Sequence, residues 1–281
     1  MSYKLIVTDM DDTLLDANTE LQEINKKAII KAQQLGIKFI LASGRPTYGM
    51  WSIAKELMLP EFEGYILSYN GSVITNCKTK EIVFETGLSK EDIHFIYDLS
   101  KEYNTDILTY KNDEIVSPMM SEYIEVDLFI TKMPHRLIDN FKEYMDLGAP
   151  KCLLLSEPSH LEKVEKELKK KYGDLYSIFR SKPIFLEIIS KDINKGTAIE
   201  KLGEFLGIKN NEMIAIGDSY NDLDMIKKAG LGVAVENADD YIKKHADFVT
   251  TSNDNNGVAH VIEKFIFNQF YNINYFLFVK K

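Results

Sequence analysis

The sequence of 281 residues predicts an α/β protein, in which a doubly wound, mainly parallel core sheet is interrupted by an inserted α+β domain. Short apolar runs rich in β-branched residues alternate with amphipathic segments over residues 1–83 and again over 191–281. Residues 84–190 lack this regular alternation and mix strand-like and helix-like segments. We therefore expect a discontinuous core domain formed by 1–83 and 191–281, with a second domain formed by 84–190.

Composition narrows the classes of function. The chain is 45% hydrophobic, which is enough apolar material to bury a core, and its formal net charge is −9. An acidic chain without a basic stripe fits neither nucleic acid nor an anionic membrane, so we expect no partner of either kind. Cys77 and Cys152 are far apart and have no histidine at metal-ligand spacing, which predicts ordinary thiols. The early acidic residue Asp9 leaves no room for the apolar part of a signal peptide, and we expect a cytoplasmic protein.

The first part of the chain contains strands and a helix with local boundary signals. The apolar run YKLIV (3–7) predicts a central strand. TELQ (19–22) has the pattern of a capping box that begins a helix, and Gly36 would end that helix. The runs IKFILA (37–42) and GYILSY (64–69) predict the next two strands.

The last part of the chain alternates in the same way, which is typical of parallel strands joined by helices. Its predicted helices are 194–207, 219–230, 238–246 and 257–265, and its predicted strands are 212–217, 231–235 and 248–251. The predicted elements of the inserted domain are a helix over 89–103 begun by Ser89, a hairpin over 106–117, the apolar segment VDLFIT (126–131), a helix over 135–146, the run 151–156, a charged helix over 160–173 and the run 184–190.

The segment TDMDDTLL (8–15) places three carboxylates within four positions directly after the first strand. Because side chains alternate along an extended chain, Asp9 and Asp11 point to the same side and Asp12 points away. Like charges on one side raise each other's pKa unless a cation or a hydrogen-bond donor compensates them. A solvated acidic turn is the alternative interpretation of this segment alone.

Polar residues follow several predicted strands at the same edge of the sheet. In open parallel sheets, ligands bind at the carboxyl ends of the strands, beside helix N-termini. The residues at such positions are Asp9 and Asp11 after the first strand, Ser43 after the second, Lys195 at a helix start, and Asp218 with Asn221 and Asp222 after the strand 212–217. We expect these side chains to lie close together.

Four segments that contain these residues match, in order, the motifs of a known enzyme family. DMDDTLL, ILASGRP, NKGTAI and GDSYNDLDM resemble the motifs of the haloacid dehalogenase-like (HAD) phosphohydrolase superfamily, and more closely those of its Cof-type members with a large (C2B-type) cap. The resemblance covers 1–83 and 191–267 as a Rossmann-like catalytic core. Residues 84–190 stand in the place of the cap domain, which selects the substrate.

The resemblance implies an Mg²⁺-dependent phosphatase that hydrolyses small phosphorylated metabolites, such as sugar phosphates, through an aspartyl-phosphate. It implies that Asp9 is the nucleophile and that Asp11 is the general acid and base. Ser43 and Lys195 would hold the phosphoryl group. Asp9, Asp218 and the main-chain carbonyl of Asp11 would bind Mg²⁺.

Four further residues have supporting roles in this interpretation. Asp222 would pair with the motif lysine, and Asn221 would support or bind the metal. Arg45 and Asn70, at the ends of the second and third strands, would face the substrate. An asparagine before glycine is equally typical of an ordinary turn, so that alternative stays open for Asn70.

Two features depart from the family pattern. Asp12 stands where the family most often has glycine, and Asp is one of the few residues that tolerate a positive φ if the position needs one. The tail NQFYNINYFLFVKK (268–281) lies beyond the last matching helix and is too short to span a bilayer. It would provide extra packing or an interface, and we expect a monomer or a homodimer.

Two other functions are compatible with such an acidic site. A phosphomutase would share the aspartyl-phosphate but return the phosphoryl group to a bound sugar, and such mutases commonly have smaller caps. A phospho-accepting signalling or binding protein would need a lasting phosphoaspartate, which an acid and base at Asp11 disfavours.

Overall fold

The computed structural model describes residues 2–191 and 193–268. Contacts within the chain divide these residues into two compact units. Residues 2–44, 50–83 and 194–268 form the core unit, and residues 45–49, 84–191 and 193 form the inserted unit. The aromatic tail beyond residue 268 lies outside the described residues.

The strands, in chain order, are β1 (Leu5–Asp9), β2 (Lys38–Ala42), β3 (Tyr65–Ser68), β4 (Val73–Asn76), β5 (Ile82–Glu85), β6 (Asp106–Lys111), β7 (Glu114–Ser117), β8 (His135–Leu137), β9 (Cys152–Leu155), β10 (Tyr176–Lys182), β11 (Phe185–Ser190), β12 (Met213–Gly217), β13 (Leu231–Ala234) and β14 (Phe248–Val249). The α-helices are α1 (Glu23–Gln34), α2 (Trp51–Glu56), α3 (Lys90–Glu102), α4 (Glu122–Thr131), α5 (Phe141–Tyr144), α6 (Pro158–Tyr172), α7 (Lys195–Leu206), α8 (Leu223–Lys228), α9 (Asp240–Lys243) and α10 (Gly257–Ile262). A π-helical turn (Glu263–Phe267) continues α10. Within the part of the chain that the structure describes, every helix is too short or too polar to cross a membrane.

The core unit is built on a mainly parallel sheet, as the sequence predicts. The strand order is β14-β13-β12-β1-β2-β3-β4-β5; the pairs from β14 to β3 run parallel, and β3 and β4 run antiparallel. β1 lies between β12 and β2, and all five of its residues are buried. The prediction of a central first strand is therefore confirmed, and its carboxyl end is Asp9.

Helices cover both faces of this sheet. The side chains of Met213 and Ile214, which are neighbours on β12, point to opposite faces. Ile214 belongs to the buried apolar cluster that includes residues of α1 and α10, whereas Met213 lies against Gly203 on α7. The core sheet is therefore doubly wound, and the predicted fold class is confirmed.

The capping box predicted at 19–22 is wrong. Thr19 has a φ of +62°, and α1 begins only at Glu23, without a side-chain bond to its N-terminus. The Asp16 carboxylate instead accepts two main-chain N–H groups within the next four residues, at 2.9 and 3.0 Å. This side chain stabilises a local turn that competes with an earlier helix start.

The inserted unit contains its own sheet, in the order β10-β11-β9-β6-β7-β8. The β7-β8 pair is parallel and the other pairs are antiparallel. Helices α3 and α6 pack on one face of this sheet through a buried apolar cluster. Ser89 caps α3 as predicted: its hydroxyl accepts the Asp92 N–H at 3.1 Å, and the Asp92 carboxylate accepts the Ser89 N–H at 2.8 Å.

The helix predicted over 135–146 is wrong, because this segment contains strand β8 and the short helix α5. Arg136 on β8 donates to the Glu114 carboxylate on β7 at 2.5 and 2.8 Å, and parallel pairing with β7 keeps the segment extended. Local periodicity does not report such long-range pairing. The apolar segment 126–131 forms the second part of α4, which Ser121 caps.

Four polar side chains are buried close together in the inserted unit. The Lys151 ammonium donates to the Glu187 carboxylate at 3.0 Å, and the Tyr110 hydroxyl donates to Asp127 at 3.5 Å. Burial raises the pKa of Asp127 to about 6; Lys151 lowers it in part, and Glu187 adds to the rise. The ammonium of Lys151 is paired with Glu187 and acts on Asp127 through its charge, while Asp127 is hydrogen-bonded to Tyr110.

We expect Asp127→Asn to stabilise the protein at pH 8 and to have little effect near pH 4. The pKa of Asp127 is about 6 in the folded state and lower in the unfolded chain. The free energy of unfolding therefore decreases as pH rises from about 4 to 6, because the unfolded chain ionises this carboxyl first. The difference between the folded and unfolded pKa values corresponds to at most about 3 kcal/mol in the free energy of unfolding at pH 8. Thermal unfolding of wild type and variant across pH 4–8 measures the difference. The exposed Asp113→Asn is the control, and a Tm difference for Asp127→Asn that stays constant with pH would contradict this prediction.

Candidate active site

The ammonium of Lys195 lies between two carboxylates at the carboxyl end of the core sheet. Lys195 is the first residue of α7 and is fully buried. Its Nζ donates to Oδ1 of Asp9, the last residue of β1, and to Oδ1 of Asp222 at 2.6 Å. The structure therefore brings three predicted site residues into direct contact.

Two glycines allow these elements to approach one another closely. Gly71, which follows β3 with a φ of +104°, has no room for a Cβ atom, because that atom would lie 2.8 Å from the main-chain oxygen of Asn194. A Cβ atom at Gly217, the end of β12, would lie 2.5 Å from Cβ of Asp222. Asn194 caps α7 by accepting an N–H of its first turn at 2.8 Å. The start of α7 and the turn that carries Asp222 are fixed by these contacts.

Asp222 is bonded through both oxygens to protein donors. Its Oδ2 accepts the main-chain N–H groups of Asp218 and Ser219 at 3.0 and 3.1 Å, while its Oδ1 accepts Lys195. Asp222 therefore closes the turn after β12 and holds the buried lysine at the same time.

Two hydroxyl groups orient the carboxylate of Asp218. Thr13 donates to its Oδ1 at 2.8 Å, and Ser219 donates to its Oδ2 at 2.6 Å. Sequence reasoning missed both residues. Thr13 lies inside the first motif and Ser219 directly follows Asp218, so a search for hydroxyls next to predicted metal ligands could have found them.

The carboxylates form a group that could hold a metal ion. One oxygen from each of Asp9, Asp218 and Asp222 lies within 4.8 Å of the others. Burial raises the pKa of Asp9 well above its usual range, although Lys195 acts to lower it. Burial, and then the charge of Asp222, also raises the pKa of Asp218. Three carboxylates lie together and one ammonium is paired with two of them, and the uncompensated charge and oxygen donors fit a hard divalent cation.

Asp11 and Ser43 lie beside each other at the ends of neighbouring strands. The buried Ser43 hydroxyl donates to Oδ2 of the half-buried Asp11 at 3.4 Å. The main chain of Ser43 is fixed by two bonds, from its N–H to the Leu67 oxygen at 2.9 Å and from the Asn70 N–H to its own oxygen at 3.0 Å. These bonds place Ser43 next to the third strand.

Two predicted supporting residues are bonded to each other. Asn70 is buried in a left-handed conformation with a φ of +57°, and its Oδ1 accepts the Nδ2 group of the exposed Asn221 at 3.0 Å. The turn asparagine therefore links the third strand to the turn after β12. Arg45 is half-buried. Its contacts assign it, with the rest of residues 45–49, to the inserted unit.

Comparison with known proteins identifies the family. A family model described as haloacid dehalogenase-like hydrolase matches residues 6–262. The chain belongs to the haloacid dehalogenase-like hydrolase family. The protein YxeH of Bacillus subtilis is 36% identical to it over 268 residues, which are 94% of this chain and 98% of YxeH. A crystal structure of a haloacid dehalogenase-like hydrolase from Bacteroides thetaiotaomicron has a TM-score of 0.86 at 42% identity, and the match covers 94% of this chain and 99% of that one.

Another relative of this haloacid dehalogenase-like hydrolase has a more specific name. The 5-amino-6-(5-phospho-D-ribitylamino)uracil phosphatase YcsE of Bacillus subtilis is 30% identical over 266 residues, which are 95% of this chain and 97% of YcsE. The predicted resemblance is confirmed, and so is the enzyme class of phosphoric monoester hydrolase.

The unusual aspartate of this haloacid dehalogenase-like hydrolase has a left-handed backbone. Asp12 is exposed with a φ of +55°, and its main-chain oxygen accepts the Nδ2 group of Asn237 at 2.7 Å. Asp is among the residues that tolerate this conformation. Position 12 therefore has a positive φ, as the sequence interpretation considered, and an aspartate adopts it in place of glycine.

We expect Asp12→Gly to leave stability nearly unchanged and Asp12→Val to lower the free energy of unfolding by about 1–3 kcal/mol. A β-branched side chain is strained at positive φ, whereas glycine is not. Urea unfolding of both variants measures the difference, with Asp224→Val in the helical backbone of α8 as the control. Equal losses for the glycine and valine variants at position 12 would contradict the interpretation.

Proposed function

We propose that this protein hydrolyses phosphate monoesters of small metabolites, with Mg²⁺ as cofactor and an aspartyl-phosphate on Asp9 as intermediate. One observation carries the proposal. The buried Asp9 shares Lys195 with Asp222, and this leaves negative charge uncompensated beside Asp218. A carboxylate nucleophile, a fixed ammonium and a divalent cation together suit phosphoryl transfer.

Asp9, Asp218 and the main-chain carbonyl of Asp11 are the proposed Mg²⁺ ligands. Asp222 is left out of this set because its oxygens accept three N–H donors. Bound Mg²⁺ would supply the positive charge that lets a dianionic phosphate approach the carboxylates. Thr13 would keep Asp218 oriented for this role through its 2.8 Å hydrogen bond.

Asp9 attacks phosphorus in the first step. One Asp9 oxygen forms the new P–O bond while the bond from phosphorus to the ester oxygen breaks. Asp11 donates its proton to that oxygen, and the alcohol leaves. Lys195 and the Ser43 hydroxyl donate to the phosphoryl oxygens and stabilise their charge in the transition state.

Water releases the phosphate in the second step. Asp11, now ionised, accepts a proton from water as the water oxygen attacks phosphorus, and the bond to Asp9 breaks. Inorganic phosphate leaves, Asp9 is again a carboxylate, and Asp11 is again protonated. An acid that becomes a base in this way favours hydrolysis over a lasting phosphoaspartate.

Substrate selection is the proposed role of residues 84–190. The catalytic residues of the core unit act on the phosphoryl group and the cation, which all phosphate monoesters share. The inserted domain would therefore take part in recognising the organic part. The name of YcsE describes a phosphorylated ribityl chain attached to a pyrimidine, so such esters join the sugar phosphates as the first class to test.

Phosphate release from a panel of sugar, polyol and nucleoside phosphates tests the proposed function. The variant Asp9→Asn removes the nucleophile with little change in shape, and we expect it to release no phosphate above background from any ester. Asp224→Asn, an exposed acid on α8, is the matched control. The proposal is wrong if Asp9→Asn keeps wild-type turnover, or if the wild type releases phosphate from none of the esters.

We expect EDTA to abolish phosphate release and added Mg²⁺ to restore it. Asp218→Asn should weaken Mg²⁺ binding because it removes one ligand charge, and Thr13→Val should weaken it about 10–100-fold because Asp218 loses an orienting donor. Calorimetric titration with Mg²⁺ measures both affinities, with Asp224→Asn expected to bind as the wild type does. Full activity in excess EDTA would remove the metal from the mechanism.

We expect Asp11→Ala to lower kcat/KM for a sugar phosphate by about 10²–10⁴-fold, and far less for p-nitrophenyl phosphate. A sugar alkoxide needs a proton as it leaves, whereas p-nitrophenolate leaves without one. The kcat/KM values report the steps through departure of the leaving group, so they isolate the acid role. Equal losses for the two esters would mean that Asp11 acts through metal geometry alone.

A further inference from the structure

Three aromatic side chains of the core unit form an exposed stack, here called the aromatic ledge. The rings of Tyr220 and Tyr241 lie 5.7 Å apart between centroids with 19° between their planes. The ring of His245 lies 4.4 Å from that of Tyr241, at 46°. Tyr220 is 65% exposed and Tyr241 is 44% exposed. Tyr220 therefore forms the open end of a stack in which the two tyrosine rings are nearly parallel.

The aromatic ledge adjoins the proposed metal site. Tyr220 is the second residue after Asp218, and two residues of chain span at most about 7 Å. On the other side, the Asp239 N–H donates to the main-chain oxygen of Asp218 at 3.3 Å, and Oδ1 of Asp239 accepts the Tyr241 N–H at 2.7 Å. Both tyrosines are thus anchored to the turn that carries Asp218, at the carboxyl ends of β12 and β13, where open parallel sheets bind ligands.

In the part of the chain that the structure describes, Tyr220 stays 65% exposed, so much of its ring surface is available to a bound group. A tyrosine ring offers a large apolar area, and aromatic rings stabilise most when that area is covered by another flat group. The exposed acids Asp239 and Asp240 flank Tyr241, which disfavours an organic part with further anionic groups. These features fit an uncharged planar ring as the group that stacks there.

We propose that Tyr220 and Tyr241 bind a planar heterocycle in the organic part of the substrate. The substrate class is a phosphate monoester in which a pentose or a short polyol chain separates the ring from the phosphate. A spacer of this kind is needed because Tyr220 lies beside Asp218 and does not take part in the contacts among Asp9, Lys195 and Asp222. This inference rests on the proposed function and names the substrate class for that site.

Uridine 5′-monophosphate and ribose 5-phosphate test the aromatic ledge, because they share the pentose and the ester oxygen and differ in the planar base. We expect the wild type to have the higher kcat/KM for the nucleotide. Tyr220→Ala should lower the ratio of the two kcat/KM values about tenfold, since stacking on one base has that order of magnitude. Tyr220→Phe should keep the wild-type ratio, because it retains the ring. Tyr241→Ala should lower the ratio as well.

Phe205→Ala is the matched control, because this ring is 62% exposed at the far end of α7 from Lys195. It should leave the ratio unchanged. Equal kcat/KM values for the two esters in the wild type would overturn the proposal, as would a Tyr220→Ala variant whose kcat/KM falls equally for both esters.

Calorimetric binding of the two esters in the presence of Mg²⁺ separates failure of the aromatic ledge from failure of the proposed function. If no ester is hydrolysed, the proposed function fails, while a nucleotide preference in binding that Tyr220→Ala abolishes would still support the ledge.

Discussion

The buried ammonium of Lys195 is the interaction on which the arrangement of the site depends. Burial acts to lower the pKa of Lys195, yet Asp222 and Asp9 raise it, so the side chain is held as a cation. An unpaired buried charge costs several kcal/mol, and the carboxylates must therefore stay in contact with it. Because Asp9 ends β1 and Asp222 lies in the turn after β12, this one ammonium joins the central strand, a neighbouring strand and the start of α7.

The ammonium of Lys195 does not balance the negative charge of the carboxylates around the site. Asp9 and Asp218 have raised pKa values, first because they are buried and then because carboxylates outnumber the single ammonium. A site designed for stability alone would pair its charges or omit them. Here the hydroxyls of Thr13 and Ser219 hold Asp218 in place without neutralising it. The surplus negative charge is a stability cost that a bound divalent cation would relieve.

The sequence predicts this part of the molecule well, because carboxyl ends of parallel strands meet at one edge, Asp9 ends a strand, and Ser43 and Asp218 each follow one. It predicts less where distant residues decide the local structure. Parallel pairing with β7 overrides the helix predicted at 135–146, and the side chain of Asp16 displaces the predicted capping box. The raised pKa of Asp127 also could not be predicted, because it arises first from burial and then from the charge of Glu187, which is distant in sequence.

The turn after β12 connects the proposed metal site with the exposed ring of Tyr220. Asp222 folds back to accept the N–H groups of Asp218 and Ser219, which closes a 3₁₀ turn over Tyr220–Asp222. Closure of this turn buries Asp222 and leaves Tyr220 and Asn221 exposed. The residues that hold the lysine and would bind the cation therefore also hold an aromatic ring close to the proposed metal site. The charged cluster would act on the phosphoryl group, which all phosphate monoesters share, so recognition of the organic part must come from groups outside that cluster. An exposed ring fixed to that cluster by the turn itself is well placed to contribute to it.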